Sequence, residues 1–149
     1  MKSKIIFSAL AATLFSVNAV AGDVCSSAKA SFEKAVEAYI SSGNKAFIEH
    51  VLKNGPLEGD KRALSQVQGL SQIEQFYGPI QSASVVSKKE LGERTCYLVG
   101  VLEYAKGPTF AVATYYLGEK GIAGTSMFFK TEPEAIIPRQ LLVGEGFKN

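Results

Sequence analysis

Hydrophobic positions recur near every 3.6 residues as far as Gly78-Pro79 and near every second residue after it. That change of period predicts helices first and strands afterwards. Phe32, Val36, Tyr39 and Ile40 fall at helical spacing, with Lys29, Glu33, Lys34 and Glu37 elsewhere on the wheel. Ser26 or Ser27 is the expected cap of this first helix, and Ser41-Ser42-Gly43 ends it with a residue suited to positive φ. A second, shorter helix is expected from Asn44 through Phe47, Ile48, Val51 and Leu52, stopped by Asn54-Gly55-Pro56. Asp60 can cap a third stretch that carries Leu64, Val67 and Leu70 inward. Gly69 and the capping-box spacing of Ser71 and Glu74 predict either one bent helix or two short ones, ending at Gly78-Pro79.

Four strands are expected beyond Pro79: Ile80–Lys88 with Ala83, Val85 and Val86, then Thr95–Tyr104, Thr109–Leu117 and Ile122–Phe129. Their connections, Leu91-Gly92-Glu93, Lys106-Gly107-Pro108 and Gly118-Glu119-Lys120-Gly121, are short enough to make a meander of hairpins. The fold class is therefore α+β, with N-terminal helices packed on a curved antiparallel sheet of four or more strands. In Thr95–Tyr104 both parities are apolar: Tyr97, Val99 and Val101 on one, Cys96, Leu98 and Leu102 on the other. Thr109–Leu117 repeats this, with Phe110, Val112 and Tyr116 opposing Ala111, Ala113, Tyr115 and Leu117. An antiparallel sheet with one wet face alternates apolar and polar residues. Both faces of this one are expected to be covered, one by helices and the other by a ligand, the C-terminal tail or a second subunit.

The ends of the chain change the picture. Met1-Lys2-Ser3-Lys4, a mostly apolar run from Ile5 to Val17 and Ala19-Val20-Ala21 have the layout of a signal peptide, residues 1–21. That places the protein in the periplasm or outside the cell. The apolar run falls short of the roughly 20 residues a membrane span needs, and Val24 before Cys25 disfavours lipid anchoring. Cleavage would leave a single domain, residues 22–130, and a tail, residues 131–149. The tail holds Pro133, Pro138 and the apolar clusters Ile136-Ile137 and Leu141-Leu142-Val143, and is expected to fray from Gly144-Glu145-Gly146 onward. It can serve as a cover, an edge strand or a partner-binding arm.

The formal charge of +2 rests on 16 basic against 14 acidic residues. Lys2 and Lys4 leave with the signal, so the remaining chain is near neutral and nothing steers it to nucleic acid. Cys25 and Cys96, an even pair in an exported chain, are expected to form a disulfide closing about seventy residues. One histidine and no Cys-x-x-Cys speak against a metal site, and no cofactor is expected.

A long first helix, shorter helices, then Phe76-Tyr77-Gly78-Pro79-Ile80 leading into hairpins that contain Gly107-Pro108-x-Phe110 resembles the cystatin-type, nuclear-transport-factor-2-like (SnoaL-like) α+β superfamily over residues 26–130. The resemblance implies a curved sheet wrapped round a long helix, with an apolar pocket or a dimer face. It implies no activity, since enzymes, ligand binders and interaction modules share the fold. Catalytic members place Asp, His or Tyr in the pocket, whereas the two aspartates here, Asp23 and Asp60, lie beside the cleavage site and in a turn, off the expected strands.

Candidate chemistry is correspondingly sparse. His50 has no carboxylate three or four residues away and reads as a surface residue, with a base or pH sensor as the sharper alternative. Glu103 sits late in an apolar strand beside Tyr104; desolvated there it could act as an acid or base, while at the hairpin end it would be solvated or paired with Lys106. Tyr97, Tyr104, Tyr115 and Tyr116 form the densest aromatic set, suited to packing or to ligand contact. Lys88-Lys89-Glu90, Glu132 and Glu134 read as solvated surface. No Ser/His/Asp arrangement, phosphate loop or GxGxxG is present. The expected function is an exported, non-catalytic domain that uses the second sheet face for a protein partner, a homodimer or a small apolar ligand, through Tyr97, Glu103, Tyr104, Tyr115 and Tyr116. A periplasmic inhibitor or immunity-type protein acting through a loop or the tail is one alternative. A pocket enzyme using Glu103 with a tyrosine or His50 is another.

Overall fold

Asp23 opens the first helix, in place of Ser26 or Ser27. Its carboxylate accepts hydrogen bonds from the Cys25 backbone N–H at 2.9 Å and from Ser26 Oγ at 2.8 Å. The two serines already lie in the first turn, where the backbone is helical and cannot cap itself. The computed structural model describes residues 23–137, and α1 runs Val24–Ser42. Phe32, Val36 and Tyr39 are buried as their spacing predicts, but Ile40 is 52% exposed because it lies at the margin of the apolar stripe.

Gly43, at φ 91°, ends α1 and leads directly into α2, Asn44–Leu52. Asn54 takes a left-handed conformation (φ 66°) at the turn that follows. Asp60 caps α3, Lys61–Leu64, by accepting from the Arg62 N–H at 2.7 Å and the Ala63 N–H at 3.3 Å. Helix α4 spans Gln66–Tyr77 and stops at Gly78, φ 79°. The two-helix alternative therefore holds, but the break falls at Ser65, ahead of Ser71. Ser71 and Glu74 lie inside α4 and start no helix; both accept from the Asn44 amide, at 2.8 and 3.4 Å, which ties α4 to α2.

The four strands are β1 Ile80–Gly92, β2 Thr95–Tyr104, β3 Gly107–Gly118 and β4 Gly121–Lys130. They form one antiparallel meander in the order β1-β2-β3-β4. The class is α+β, with helices packed against a sheet. Strand β1 is longer than its hydrophobic pattern indicates, and Val86 is 55% exposed. A bulge explains this: Val85 pairs with Gly100 and Ser87 with Val99, leaving Val86 without a partner.

Cys96, Leu98, Leu102, Tyr104, Ala111, Ala113 and Tyr115 face the helices and join Phe32, Tyr39, Phe47, Val51 and Leu70 in the main core. Gly100 lies on the same face because Phe32 needs the room: a Cβ there would come within 2.8 Å of Phe32 Cζ. The expected disulfide Cys25–Cys96 joins the start of α1 to β2, with Cα atoms 5.1 Å apart and a sequence separation of 71. Its loop corresponds to about 4 kcal/mol of chain entropy removed from the unfolded state. Among the described residues no helix is long and apolar enough to cross a membrane. The expected signal peptide, residues 1–21, and the Leu141-Leu142-Val143 cluster and frayed end expected of the tail lie outside the described residues.

Candidate functional site on the outer sheet face

Successive side chains of a strand point to opposite faces, so the apolar residues of β2 and β3 that do not meet the helices must meet something else. Register aligns them in rows across the sheet. Ser87, Val99, Val112 and Phe128 are consecutive partners on β1 to β4, and Ser84, Val101, Phe110 and Lys130 form the neighbouring row. Tyr97 and Thr114 pair in the row on the other side.

What covers the middle of this outer face is the chain itself. A 3-10 turn at Pro133–Ala135 brings Ile136 and Ile137 back over the sheet. Ile137, Val99 and Val112 form a second, separate core, with Tyr97, Phe110 and Ile136 packed against it. Val99 is fully buried and Val112 nearly so. Cover by the start of the tail is thus one of the three alternatives the two-sided pattern left open, beside a ligand and a second subunit. It is incomplete: Phe128, in the same row as Val99 and Val112, is 61% exposed, and Tyr116 is 40% exposed. The Arg94 guanidinium lies 5.1 Å from the Tyr116 ring centroid, held there by a hydrogen bond from Arg94 Nε to the Leu117 carbonyl at 2.7 Å. An aromatic face flanked by a cation is a common contact surface.

The sequence-derived site residues do not come together. Tyr97, Glu103 and Tyr116 lie on the outer face, while Tyr104 and Tyr115 point into the main core. Tyr104 Oη lies 3.3 Å from Tyr39 Oη, and burial raises the pKa of both phenols. Burial raises the phenols of Tyr115 and Tyr97 as well. Glu103 is exposed and accepts from Ser82 Oγ at 2.6 Å, so its partner is that serine across the strand pair, in place of Lys106. Glu103 and Tyr104 are neighbours in sequence but face opposite ways, and no shared acid–base site forms between them. His50 is exposed at the end of α2.

Sequence reasoning missed two clefts along β4. The first, of about 360 Å³, lies between α2, α3 and β4 and is walled by Ile48, Leu52, Leu57 and Met127, with Asp60 and Arg62 at its edge. Asp60 thus borders a cavity after all. Its pKa is lowered by the Arg62 side chain and by two backbone N–H groups, which keeps it ionised and committed to its cap. The second, of about 500 Å³, runs between α4 and β4 past Ile73, Phe128 and Phe129. Gln66 and Met127 line both, and Gln66 Nε2 donates to the Met127 carbonyl at 3.1 Å, bridging helix to strand between them. Both clefts are walled by segments far apart in sequence, so they have no local signature. Among the described residues no group of three His, Cys, Asp or Glu side chains is placed to hold a metal.

Set beside protein-family models, curated proteins and solved structures, the chain matches none of them.

Proposed function

We propose that this protein is an exported binding domain that engages a protein partner through the outer face of its sheet. The observation that carries this reading is the row Val99, Val112, Phe128: the tail buries its first two members and leaves the third exposed. An exposed aromatic at the edge of a buried apolar cluster is the arrangement in which a partner removes the most apolar surface at least cost in ordering. Export is supported by the Cys25–Cys96 disulfide together with the basic, apolar and small-residue order of residues 1–21. The likeness to the cystatin-type superfamily is compatible with a binding role and adds no activity to it. Binding is favoured over catalysis because Glu103 is solvent-exposed and tied to Ser82, with Tyr104 on the opposite face.

A small apolar ligand is the second reading, favoured by the cleft between α4 and β4, which shares Phe128 with the outer face. An inhibitor or immunity-type protein is a specialised form of the first, in which the bound partner loses its own activity.

Affinity capture from an extracytoplasmic extract with the oxidised chain tests the reading, run beside a Phe128→Glu/Tyr116→Ser variant. A protein retained by the wild type and lost by the variant is expected. Native mass spectrometry of the same samples reports any bound small molecule or dimer. A ligand-free monomer that captures the same proteins with or without the substitutions overturns it.

A further inference from the structure

The Tyr115 hydroxyl is fully buried and has no hydrogen-bond partner among the described residues. The polar group beside it is the Ser31 side chain of α1. Ser31 in turn lines a cleft of about 460 Å³ between α1, the end of α2 and the start of β4, on the helix side of the sheet.

The rest of the wall has one chemical character. Ser27, Ser31 and Lys34 lie at i, i+4 and i+7 and so share one face of α1. His50, Lys53 and Asn54 face them from the end of α2. Every polar side chain in this set can donate a hydrogen bond, and no carboxylate lines the cleft. Of the acids nearby, Glu33 pairs with Lys29 and Glu49 with Lys45, and Glu58 accepts from the Asn54 backbone N–H at 3.0 Å. Lys34 and Lys53 have no ion-pair partner among the described residues. Two ammonium groups directed at one cleft without a counter-charge repel each other, and an anion between them turns repulsion into attraction. Ala30 and Ile122 add apolar lining, and the volume exceeds that of a bare oxyanion.

We propose that this cleft is a binding site for a small organic phosphomonoester, whose phosphate oxygens take the Lys34 and Lys53 ammonium groups and the Ser31 hydroxyl. The ester's organic body rests on Ala30 and Ile122. Ser31 can donate to the phosphate while its oxygen faces the buried Tyr115 hydroxyl, because a serine hydroxyl donates and accepts at once. The site lies across the sheet from the outer face and stands or falls independently of the partner surface.

Phenyl phosphate, inorganic phosphate and phenol titrated into the oxidised chain, followed by NMR amide shifts, test the assignment. Phenyl phosphate is expected to give saturable shifts at Ser31, Lys34, Lys53 and Asn54, tighter than inorganic phosphate, with phenol giving none. Lys34→Gln/Lys53→Gln, which alters only exposed side chains, is expected to weaken phenyl phosphate about tenfold or more without changing the melting temperature. No saturable shift by ~10 mM, equal shifts from phenol, or unchanged affinity in the folded double variant overturns the proposal.

Discussion

The hydroxyls of Tyr39 on α1 and Tyr104 on β2 lie 3.3 Å apart in the buried core, 65 residues apart in sequence. One donates and the other accepts, so each phenol is the other's escape from an unpaired burial. The rings meet edge to face, with centroids 6.4 Å apart. Tyr104→Phe removes one partner and strands the Tyr39 oxygen, which is expected to cost about 1–3 kcal/mol. Adding Tyr39→Phe is expected to cost less than the sum of the two single changes, because the stranded group goes too. Denaturant melts of the three variants provide the measurement, and strict additivity would contradict the pairing.

The same phenols give an alkaline signature. Both folded pKa values are raised, chiefly by burial, whereas the unfolded phenols titrate near 10. The unfolded state therefore loses its protons first, and stability is expected to fall as pH rises above about 10. The Tyr39→Phe/Tyr104→Phe variant should lose part of that slope.

At the other end of α1, pH acts through a carboxyl pair. Asp23 is held well below the usual carboxylate range, first by a hydrogen bond from the Glu90 carboxyl and then by Ser26, the Cys25 N–H and Lys88. Glu90 is correspondingly raised, first by that hydrogen bond and then by the Asp23 charge. The Asp23 contribution is present above its unfolded pKa and is lost as pH falls through its lowered folded value. The Glu90 contribution has the opposite sign: it is present while Glu90 keeps its proton and is lost as pH rises through its raised value. Together they favour a mildly acidic window. Glu90→Gln supplies a permanent donor, so its melting temperature is expected to exceed wild type at neutral pH and converge with it in mild acid. A constant offset across pH would contradict the shared proton.

Gly100 leaves the room on β2 that the Phe32 ring of α1 fills. Gly100→Ala would put a methyl group 2.8 Å from Phe32 Cζ and 3.2 Å from its Cε1, and the ring is 1% exposed with nowhere to move. A loss of about 1–3 kcal/mol is expected, and Phe32→Leu should recover part of it in the same background. Thermal melts of the single and double variants check both.

Ile137 and Phe128 separate stability from binding on the outer face. Ile137→Ala uncovers Val99 and Val112 and is expected to cost about 2 kcal/mol, with increased binding of a hydrophobic dye. Phe128→Glu touches an exposed side chain and is expected to change stability by no more than about 0.5 kcal/mol while abolishing partner capture. A large stability loss for Phe128→Glu would mean that it belongs to the core.

The order and type of the elements were legible in the sequence because they follow from local causes. Gly43, Asn54-Gly55-Pro56 and Gly78-Pro79 punctuate the helices through backbone conformation alone. The period-2 runs, with short turns between them, leave a meander as the only economical pairing. The apolar residues on both parities of β2 and β3 likewise announced two buried faces before any partner for the second was visible. The cap at Asp23 was misplaced because serine and aspartate compete for that role within a few residues, and only the start of the helix chooses between them. The bulge at Val86 depends on how β1 registers against Gly100 and Val99, which no property of β1 specifies.

The candidate site was less legible, for a reason of scale. A tyrosine's type is local, but the face it occupies depends on strand phase, and the group it meets depends on residues far along the chain. The sequence by itself therefore determined the α+β class, the helix stops, the cysteine pair and the presence of apolar side chains on both sides of the sheet. Tertiary structure alone decided that Tyr104 answers Tyr39, that Ile137 closes over Val99 and Val112, and that Ser31, Lys34 and Lys53 share a cleft. Those relationships are contacts between segments tens of residues apart, and they exist only once burial of the common core has brought the segments together.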